Sequence, residues 1–461
     1  MIPRRVMGIE TEFGLTCAST TGQTPPLDPE TAADLLFEPV VQENRSTNTF
    51  LENGARLYLD VGAHPEYATA ECDSLTDLLA NDRAGDEIFA DLAQQANTKL
   101  AAQGVAGEIH LFKNNVDAAG NSFGCHENYM LHRRADFRNR IQRLVPFFVT
   151  RQIITGAGML FRAENGEVSY EFAQRSHKMW DAISSASTRA RPMINTRDEP
   201  HGNAEEYRRM HVIVGDSNIA QATTGLKIAT TEALLIMLEE GAIMPDLALA
   251  DDMHAIRLTA ANLRGQARLE LAAGGTTDPI SVQERFRDAA LDHLERKGYL
   301  AELDPLRRYL LELWTRGLEA LKTGNLESVE TEIDWVAKLH LLRRYMDRSG
   351  ATLADPRVAR LDLAYHDIGP AGLRHQMEET GMLRQLISPE EVAHARQYPP
   401  QTTRAKIRGE FVRRGKAARR DIAVDWTSLR LMGAAGNSTV LLEEPLETEN
   451  TAATQLMAEI A

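Results

Sequence analysis

The chain has 461 residues, of which 43% are hydrophobic and 25% are charged, as in an ordinary soluble globular enzyme. That length allows a large core, with either more than one domain or a single large α+β domain that carries an appendage. The formal net charge of −15 disfavours non-specific binding to nucleic acid, since any positively charged groove would have to be local.

The cysteines and the N-terminus both indicate a cytoplasmic protein. Cys17, Cys72 and Cys125 have no CxxC spacing, so we expect neither disulfides nor a zinc site. The N-terminus lacks the apolar region of a signal peptide, and no run approaches the roughly 18 apolar residues that span a bilayer. We therefore expect a cytoplasmic chain without a membrane segment.

The first predicted strand, residues 6–15, places two carboxylates on one face. Side chains alternate along a strand, so Glu10 and Glu12 point one way while Ile9, Thr11 and Phe13 point the other. Two carboxylates roughly 7 Å apart repel each other in a low-dielectric cleft unless a cation or a raised pKa relieves them. Mg²⁺ suits such oxygen-rich clusters, because it keeps several waters and bridges to substrate phosphates.

Two further predicted strands, 55–61 and 66–72, form a hairpin that turns at Gly62. The polar side chains that these strands contribute are Arg56, Tyr58, Asp60, Glu66, Thr69 and Glu71. Any one strand taken alone fits a solvated antiparallel sheet equally well, but three consecutive polar strand faces favour a site. Glu66 and Thr69 have opposite parity on an ideal strand, so a bulge or bend is expected between them.

The remaining elements indicate an α+β fold rather than alternating βαβ units. Further strands are predicted at 107–114, 124–132 and 210–216, and helices at 76–103 and 224–241. Residues 283–346 have the spacing of successive amphipathic helices, which we interpret as scaffold.

A distinct C-terminal segment follows the Pro399–Pro400 pair and begins at Thr402. Its first part, residues 404–420, is strongly basic in an otherwise acidic protein. Such a run is usually a solvated helix face, and the alternative is a surface for an acidic partner.

Familiar nucleotide and hydrolase motifs are missing from the sequence. Gly409 and Gly415-Lys416 have the wrong spacing for a P-loop, and Ala417 stands where Ser or Thr should bind Mg²⁺. No GxGxxG motif opens a βαβ unit and no GxSxG elbow occurs. If the protein uses ATP, we expect metal ions on carboxylates, rather than a glycine-rich loop, to hold the phosphates.

Long motifs across nearly the whole chain match one known family. They are Gly8–Gly14, Asn53–Gly62, His64–Asp73, Lys113–Asn115, Gly124–Tyr129, Arg191–His201, His211–Asn218, Asp362–Asp367 and Pro400–Arg404. By these motifs the chain resembles the carboxylate-amine ligases related to glutamine synthetase, and within them the Pup ligases, bacterial enzymes that attach the small protein Pup to lysines.

The resemblance implies a fold, a ligand set and a base. The fold is α+β: a glutamine synthetase-like catalytic domain with a curved antiparallel β-sheet packed by helices over residues 1–388, and a small C-terminal domain over 389–461. Glu10, Tyr58 and Glu66 would ligate Mg²⁺, and Arg56, Thr69 and Trp426 would contact ATP. Asp60 would be the catalytic base.

The implied reaction has two steps. The γ-carboxylate of the C-terminal glutamate of Pup takes the γ-phosphoryl group of ATP, and a lysine amine of a target protein then displaces phosphate. The resulting isopeptide bond would mark the target for proteasomal degradation. The expected partners are therefore Pup, whose acidic helical segment would lie in a groove, and lysine-bearing proteins, and we expect a monomer.

The remaining polar candidates are five arginines and two histidines. The arginines that could bind ATP phosphates or a substrate carboxylate are Arg189, Arg191, Arg197, Arg208 and Arg209. The alternative for this group is a set of structural salt bridges to nearby acidic residues. We interpret His126 and His211 as structural histidines.

Three other functions remain open. A depupylase or deamidase of Pup is a hydrolase on the same fold, but the connection from Glu12 to Asn53 is short for the additional loop associated with that relative. A small-molecule glutamate-amine ligase would leave the C-terminal segment unexplained. A non-catalytic scaffold is disfavoured because the chain retains every expected polar residue, Asp60 included.

Overall fold

The computed structural model describes residues 2–22, 24–60, 62–117, 119–185, 191–433 and 436–460. The N-terminal part contains short strands and two helices. In chain order these are β1 (Met7–Glu12), β2 (Gly14–Ser19), α1 (Pro29–Asn44), β3 (Asn48–Phe50), β4 (Arg56–Asp60), β5 (His64–Ala68), α2 (Leu75–Ala102), β6 (Gly107–Phe112) and β7 (Cys125–His132).

The middle of the chain adds the remaining strands of the main sheet. In chain order its elements are α3 (Phe137–Gln142), α4 (Val145–Thr150), α5 (Gln152–Thr155), β8 (Met159–Arg162), β9 (Val168–Glu171), β10 (Asp181–Ser184), β11 (Pro192–Asn195), β12 (Tyr207–Val212), α6 (Gln221–Glu239), α7 (Asp252–Ala261), β13 (Leu269–Glu270) and β14 (Thr276–Thr277).

Helices then dominate up to the C-terminal segment. They are α8 (Pro279–Arg296), α9 (Pro305–Thr323), α10 (Asp334–Ser349), α11 (Pro356–His366), α12 (Arg374–Glu379) and α13 (Pro389–Gln397). The last elements are α14 (Ala405–Ala417), β15 (Ile422–Asp425), β16 (Ser428–Leu431), β17 (Ser438–Leu441) and α15 (Thr451–Ala458). Every helix of the described residues is either too short or too polar to cross a membrane.

The main sheet has the strand order β10-β11-β12-β7-β1-β5-β4-β3. Its neighbouring strands run antiparallel except for the parallel pair β10 and β11. The prediction of an α+β fold with an antiparallel sheet is therefore confirmed. Because β1 lies between β7 and β5, residues of three strands share one open face at the centre of the sheet.

Burial on the opposite face explains why these strands form. Met7, Ile9 and Thr11 are buried along β1, while the side chains between them are half-buried. Met7 and Ile9 join the largest apolar cluster, in which α6 is buried along almost its entire length and packs beneath β7. The sheet thus has one face covered by helices and one face open for polar side chains.

Several scaffold helices start with the same local signal. The side chain of an aspartate accepts a hydrogen bond from a backbone amide of the first turn, and proline follows at the first helical position, where its missing N–H costs nothing. These capping residues are Asp28 for α1, Asp278 for α8, Asp304 for α9 and Asp355 for α11.

Several element boundaries differ from the prediction. The predicted strand 6–15 ends at Glu12, and β2 instead pairs with β6 in a separate two-stranded sheet. The predicted strand 66–72 begins earlier and ends at Ala68, because the turn uses Gly62 and Ala63, whose φ angles are 90° and 62°. The predicted buried strand at 210–216 is Tyr207–Val212.

The C-terminal segment has an apolar cluster of its own. That cluster begins at Ile407 and includes Phe411, Leu429, Leu442 and Leu456. Helix α13 packs against α2 instead. The domain boundary at residue 388 stays a prediction.

Candidate functional site

The polar face of the sheet brings the predicted carboxylates together. Glu12 lies directly opposite Glu66 across β1 and β5, and Tyr58 lies opposite Glu66 across β4 and β5. Residues directly opposite each other in an antiparallel pair point to the same face. Glu10, Glu12, Tyr58, Asp60 and Glu66 therefore share one face, as strand parity predicts.

A bulge accounts for the opposite parity of Thr69. Glu10 pairs with Ala68, whereas Met7 pairs with Cys72, so the second strand has one additional residue over this interval. Within the bulge, the Thr69 hydroxyl accepts a hydrogen bond from the Ile9 amide at 3.1 Å. The bend expected from the sequence is therefore present.

Three carboxylates form the first candidate cation site. Glu12, Asp60 and Glu66 each offer an oxygen, and these atoms lie within 4.8 Å of one another. Burial, followed by repulsion from Glu10 and Glu12, raises the pKa of Glu66 well above its usual range. Within the described residues, Glu66 Oε1 is buried without a hydrogen-bond partner. A divalent cation with oxygen ligands fits this site, because it would relieve the repulsion and pair the unpartnered oxygen.

Tyr58 and Arg56 extend this face along β4. Burial, together with the charges of Glu10 and Glu66, raises the pKa of Tyr58, so the phenol keeps its proton. Arg56 lies over the rings of Tyr58 at 5.1 Å and Phe50 at 5.6 Å. Its guanidinium also donates a hydrogen bond to Asn48 Oδ1 at 2.8 Å. Arg56 is therefore held over aromatic rings beside the carboxylates.

A second group of possible cation ligands surrounds Glu10. One oxygen of Glu10 and one nitrogen each of His126 and His211 lie within 4.8 Å of one another. Although burial opposes ionisation, the hydrogen bond from His126 and the nearby charges of His211 and Arg209 lower the pKa of Glu10. Asn128 Nδ2 donates to Glu10 Oε1 at 3.1 Å and fixes the carboxylate further.

The sequence interpretation of the two histidines as structural missed this arrangement. His126 lies directly opposite Glu10 across β7 and β1, and His211 lies opposite Asn128 across β12 and β7. The alternation of polar and buried residues in Cys125–His132 was the available signal. It could not be used alone, because the order of the strands was unknown.

Asp60 lines a cavity of about 670 Å³ that opens beside the first carboxylate group. His64, Phe123, Arg175 and Arg191 are among its other lining residues. Arg175 is 2% exposed, and its Nε and Nη1 atoms have no hydrogen-bond partner among the described residues. Burial, followed by the charge of Arg191, lowers the pKa of Arg175. An anionic group bound in this cavity could accept hydrogen bonds from the Arg175 guanidinium.

A small apolar cleft, open to solvent, lies on the other side of Glu10. We define this apolar cleft by Val6, Ile9, Ala68, Met130, Pro200 and Trp426. Thr69 also lines the apolar cleft, whereas Arg56 does not. Trp426 packs edge-on against Phe50, at 4.9 Å between ring centroids. Arg56 lies over the same Phe50 ring, so only this ring separates Arg56 from the Trp426 wall of the apolar cleft.

The predicted arginine cluster is not a single group. Arg189 lies outside the described residues, and Arg191 lines the large cavity. Arg197 pairs with Glu199, Arg208 lies over the Phe137 ring, and Arg209 donates to Asn128 Oδ1 at 2.8 Å. The salt-bridge alternative therefore applies to Arg197, whereas Arg209 supports the group around Glu10.

Glu71 and the basic C-terminal run form a buried ion cluster. Arg404 Nε lies 3.0 Å from Glu71 Oε1, and the Arg408 guanidinium pairs with Oε2 of the same carboxylate. Although burial opposes ionisation, Arg408 and Arg404 lower the pKa of Glu71 to about 2. Lys416 pairs with Glu43 on α1. Several basic residues of this run therefore form ion pairs with acidic residues of the same chain. Glu71 belongs to the buried ion cluster rather than to the carboxylate site.

Comparisons with known proteins agree over nearly the full length. A family model described as Pup-ligase protein matches residues 5–430. The Pup–protein ligase of Sanguibacter keddieii is 48% identical over 97% of this chain and 97% of its own length. A solved complex between the prokaryotic ubiquitin-like protein Pup and its ligase PafA has a TM-score of 0.93 at 38% identity, covering 99% of this chain and 91% of that one. The structure of PafA in complex with ADP has a TM-score of 0.85 at 38% identity, covering 94% of each chain.

Proposed function

Because the chain belongs to the Pup-ligase family, we propose that it is an ATP-dependent ligase that joins the C-terminal glutamate of Pup to lysine side chains. The observation that carries the proposal is the carboxylate group of Glu12, Asp60 and Glu66 at the edge of a large cavity. A family member would use this cavity for both steps, the transfer of the γ-phosphoryl group from ATP to the glutamate carboxylate and the transfer of the acyl group to the lysine amine with release of phosphate. The resulting isopeptide bond would commit the target to proteasomal degradation.

The chain's own residues suggest where the cosubstrates bind. The apolar cleft suits the adenine of ATP, with Thr69 and Trp426 in contact and Arg56 close by, and the phosphates would then point toward the carboxylates. Glu10, Tyr58 and Glu66 are the proposed Mg²⁺ ligands, and the unpartnered oxygen of Glu66 supports this assignment. Mg²⁺ would supply charge neutralisation, which lets a carboxylate approach an anionic phosphate.

Arg175 is the proposed contact for negative charge on the Pup side of the reaction. Two nitrogens of its buried guanidinium have no hydrogen-bond partner within the described part of the chain, and the charges of Glu12 and Arg191 both act on it. A guanidinium recognises carboxylate and phosphoryl oxygens with the same geometry. Arg175 can therefore orient the glutamate or stabilise its phosphorylated form without moving.

Asp60 is the proposed base for the second step. A free lysine has a pKa near 10.4, so keeping it neutral at pH 7 costs about 4.6 kcal/mol unless a base takes the proton during attack. Asp60 lines the large cavity and lies opposite His64 at the turn end of the hairpin. It can be reached there by a lysine that enters from solvent.

Intact-mass spectrometry tests this function directly. The protein is incubated with Mg-ATP, Pup ending in glutamate and a lysine-bearing target, and in a second tube with a preformed Pup conjugate. We expect the target to gain one Pup mass, and a target with its lysines acetylated to gain none. Loss of Pup from the conjugate alone would make the protein a depupylase, and no change in either tube would refute both activities.

A further inference from the structure

Among the polar side chains of the apolar cleft is a histidine that the sequence analysis did not single out for binding. His201 lines it next to Pro200 and is half-buried. Its backbone has a φ of 49°, in the left-handed region that is uncommon for residues other than glycine. The Arg404 guanidinium donates a hydrogen bond to its carbonyl oxygen. The buried ion cluster with Glu71 therefore holds an unfavourable backbone conformation at the wall of the cleft.

Other polar side chains around the apolar cleft are already engaged within the protein. Asn128 bonds both Glu10 and Arg209, and Arg404 bonds Glu71. By contrast, His201 is bonded only through its carbonyl oxygen among the described residues, and its ring nitrogens make no hydrogen bond there. Burial, followed by the charges of Arg209 and Arg404, lowers the pKa of His201 to about 4, so the ring is neutral at physiological pH. A neutral imidazole offers one donor and one acceptor.

The position of Trp426 limits how a base can lie in the cleft. The Arg408 guanidinium lies 5.0 Å over its indole ring, so one face is covered. The His201 and Trp426 ring centroids are 6.1 Å apart with 43° between the planes. A base inserted between two rings needs about 7 Å, from two contacts of about 3.5 Å each. The two rings therefore form a corner, and a base that stacks on Trp426 presents its edge to His201.

We propose that His201 is a nucleobase-binding residue, whose ring nitrogen hydrogen-bonds the edge of the adenine while the base stacks on Trp426. This rests on the proposed function, because it takes ATP as the ligand of the apolar cleft. The C-terminal segment would then contribute to the nucleotide site in two ways. It provides Trp426, and its Arg404 holds the backbone of His201 through a hydrogen bond to the carbonyl oxygen.

The test compares His201→Phe with His201→Asn by calorimetric titration of Mg-ADP. Phenylalanine keeps a ring but has no hydrogen-bonding atom, whereas asparagine keeps a donor and an acceptor and tolerates a positive φ. We expect His201→Phe to raise the Kd for ADP about fivefold, the effect of one lost hydrogen bond, and His201→Asn to stay within about twofold. His132→Ala removes an exposed imidazole from outside the cleft and should leave the Kd unchanged.

Inorganic tripolyphosphate separates base recognition from general damage to the site, because it carries phosphates but no base. Its affinity should be the same for the wild type and His201→Phe. Equal ADP affinity in the wild type and His201→Phe would overturn the proposal, and so would parallel losses of ADP and tripolyphosphate. A wild-type protein that does not bind ADP would instead overturn the nucleotide site of the proposed function.

Discussion

Glu66 is the residue at which stability and function conflict most directly. Its carboxylate is buried, lacks a partner for one oxygen among the described residues, and lies near two other carboxylates. Active sites often keep such unfavourable groups because a ligand will compensate them. The same features that make Glu66 a poor structural residue are those expected of the cation ligand that we propose.

Glu66→Gln should separate the two properties. Without divalent cation, removing the charge relieves the repulsion, so we expect the free energy of unfolding to rise by on the order of 1 kcal/mol. With Mg-ATP, the variant should bind nucleotide more weakly than the wild type. Urea denaturation with and without Mg²⁺, together with ADP titration, measures both effects. A variant that is less stable without metal would show that Glu66 has a structural partner.

The roles of Arg175, His126 and His211 could not be predicted from the sequence. Strand parity placed Glu10, Tyr58 and Asp60 on one face, because that rule needs only local alternation. The two histidines reach Glu10 through strand order, which parity does not contain. That two nitrogens of Arg175 have no hydrogen-bond partner among the described residues depends on the packing around a buried group, which no sequence pattern reports.

Glu71 joins two elements that are far apart in the sequence. The bulge after β5 carries this carboxylate, and α14 with its preceding residue carries the two guanidinium groups. Arg404 and Arg408 are 1% and 0% exposed, so neither can be solvated if the carboxylate is lost. Breaking a buried ion cluster from one side is far more costly than breaking a surface pair.

We therefore predict that Glu71→Gln lowers the free energy of unfolding by about 3–5 kcal/mol. Arg45→Ala is the matched control, because Arg45 and Asp421 form an ion pair with side chains 83% and 77% exposed. That control should change the stability by less than about 1 kcal/mol. Denaturant unfolding compares the two, and similar small losses would contradict the anchoring role of Glu71.

His110 links β6 to the loop that follows α11. Its Nδ1 lies 2.9 Å from Asp367 Oδ2, and this hydrogen bond raises the pKa of His110 although burial opposes it. Because the pKa is higher in the folded chain, the stabilisation is complete below the unfolded value near 6.5. It is lost as the pH rises through the folded pKa.

We predict that His110→Gln removes this part of the pH dependence. The variant should lose stability relative to the wild type at about pH 6, and the difference should shrink as the pH rises. Asp367→Asn should behave alike, and the double variant should add little, since both changes break one interaction. Unfolding curves across this range test the link, and a pH-independent difference would refute it.

At the scale of the whole molecule, the sequence predicts the family and the sheet better than it predicts the long-range ion pairs. The family resemblance, the antiparallel sheet and the carboxylate face shared by neighbouring strands are all confirmed. The aspartate caps followed by proline at α8, α9 and α11 are equally readable. The ion cluster of the C-terminal segment cannot be predicted in this way. Residues 404–420 resemble an exposed basic surface in the sequence, and only the structure shows that Glu71 contacts Arg404 and Arg408. Long-range compensation of charge is a property of the tertiary structure alone.

The two steps of the proposed reaction can be separated in the intact protein. In the proposed reaction, phosphorylation of the Pup glutamate would use nucleotide, cation and Arg175, whereas attack by lysine would also use a base. Asp60 lies close enough to Glu12 and Glu66 to serve as a cation ligand instead. The carboxylate group therefore allows two mechanisms: in one Asp60 is the base that deprotonates the lysine, and in the other Asp60 is a cation ligand together with Glu12 and Glu66.

A single-turnover experiment with Asp60→Asn decides this point. The variant is mixed with Mg-ATP and Pup, then with a target protein or with hydroxylamine, which is largely unprotonated at neutral pH and needs little help from a base. We predict normal ADP formation and normal hydroxamate formation, while isopeptide formation falls by about 10²–10⁴-fold. Wild-type rates of isopeptide formation would contradict Asp60 as the base, and loss of ADP formation together with nucleotide binding would make it a cation ligand.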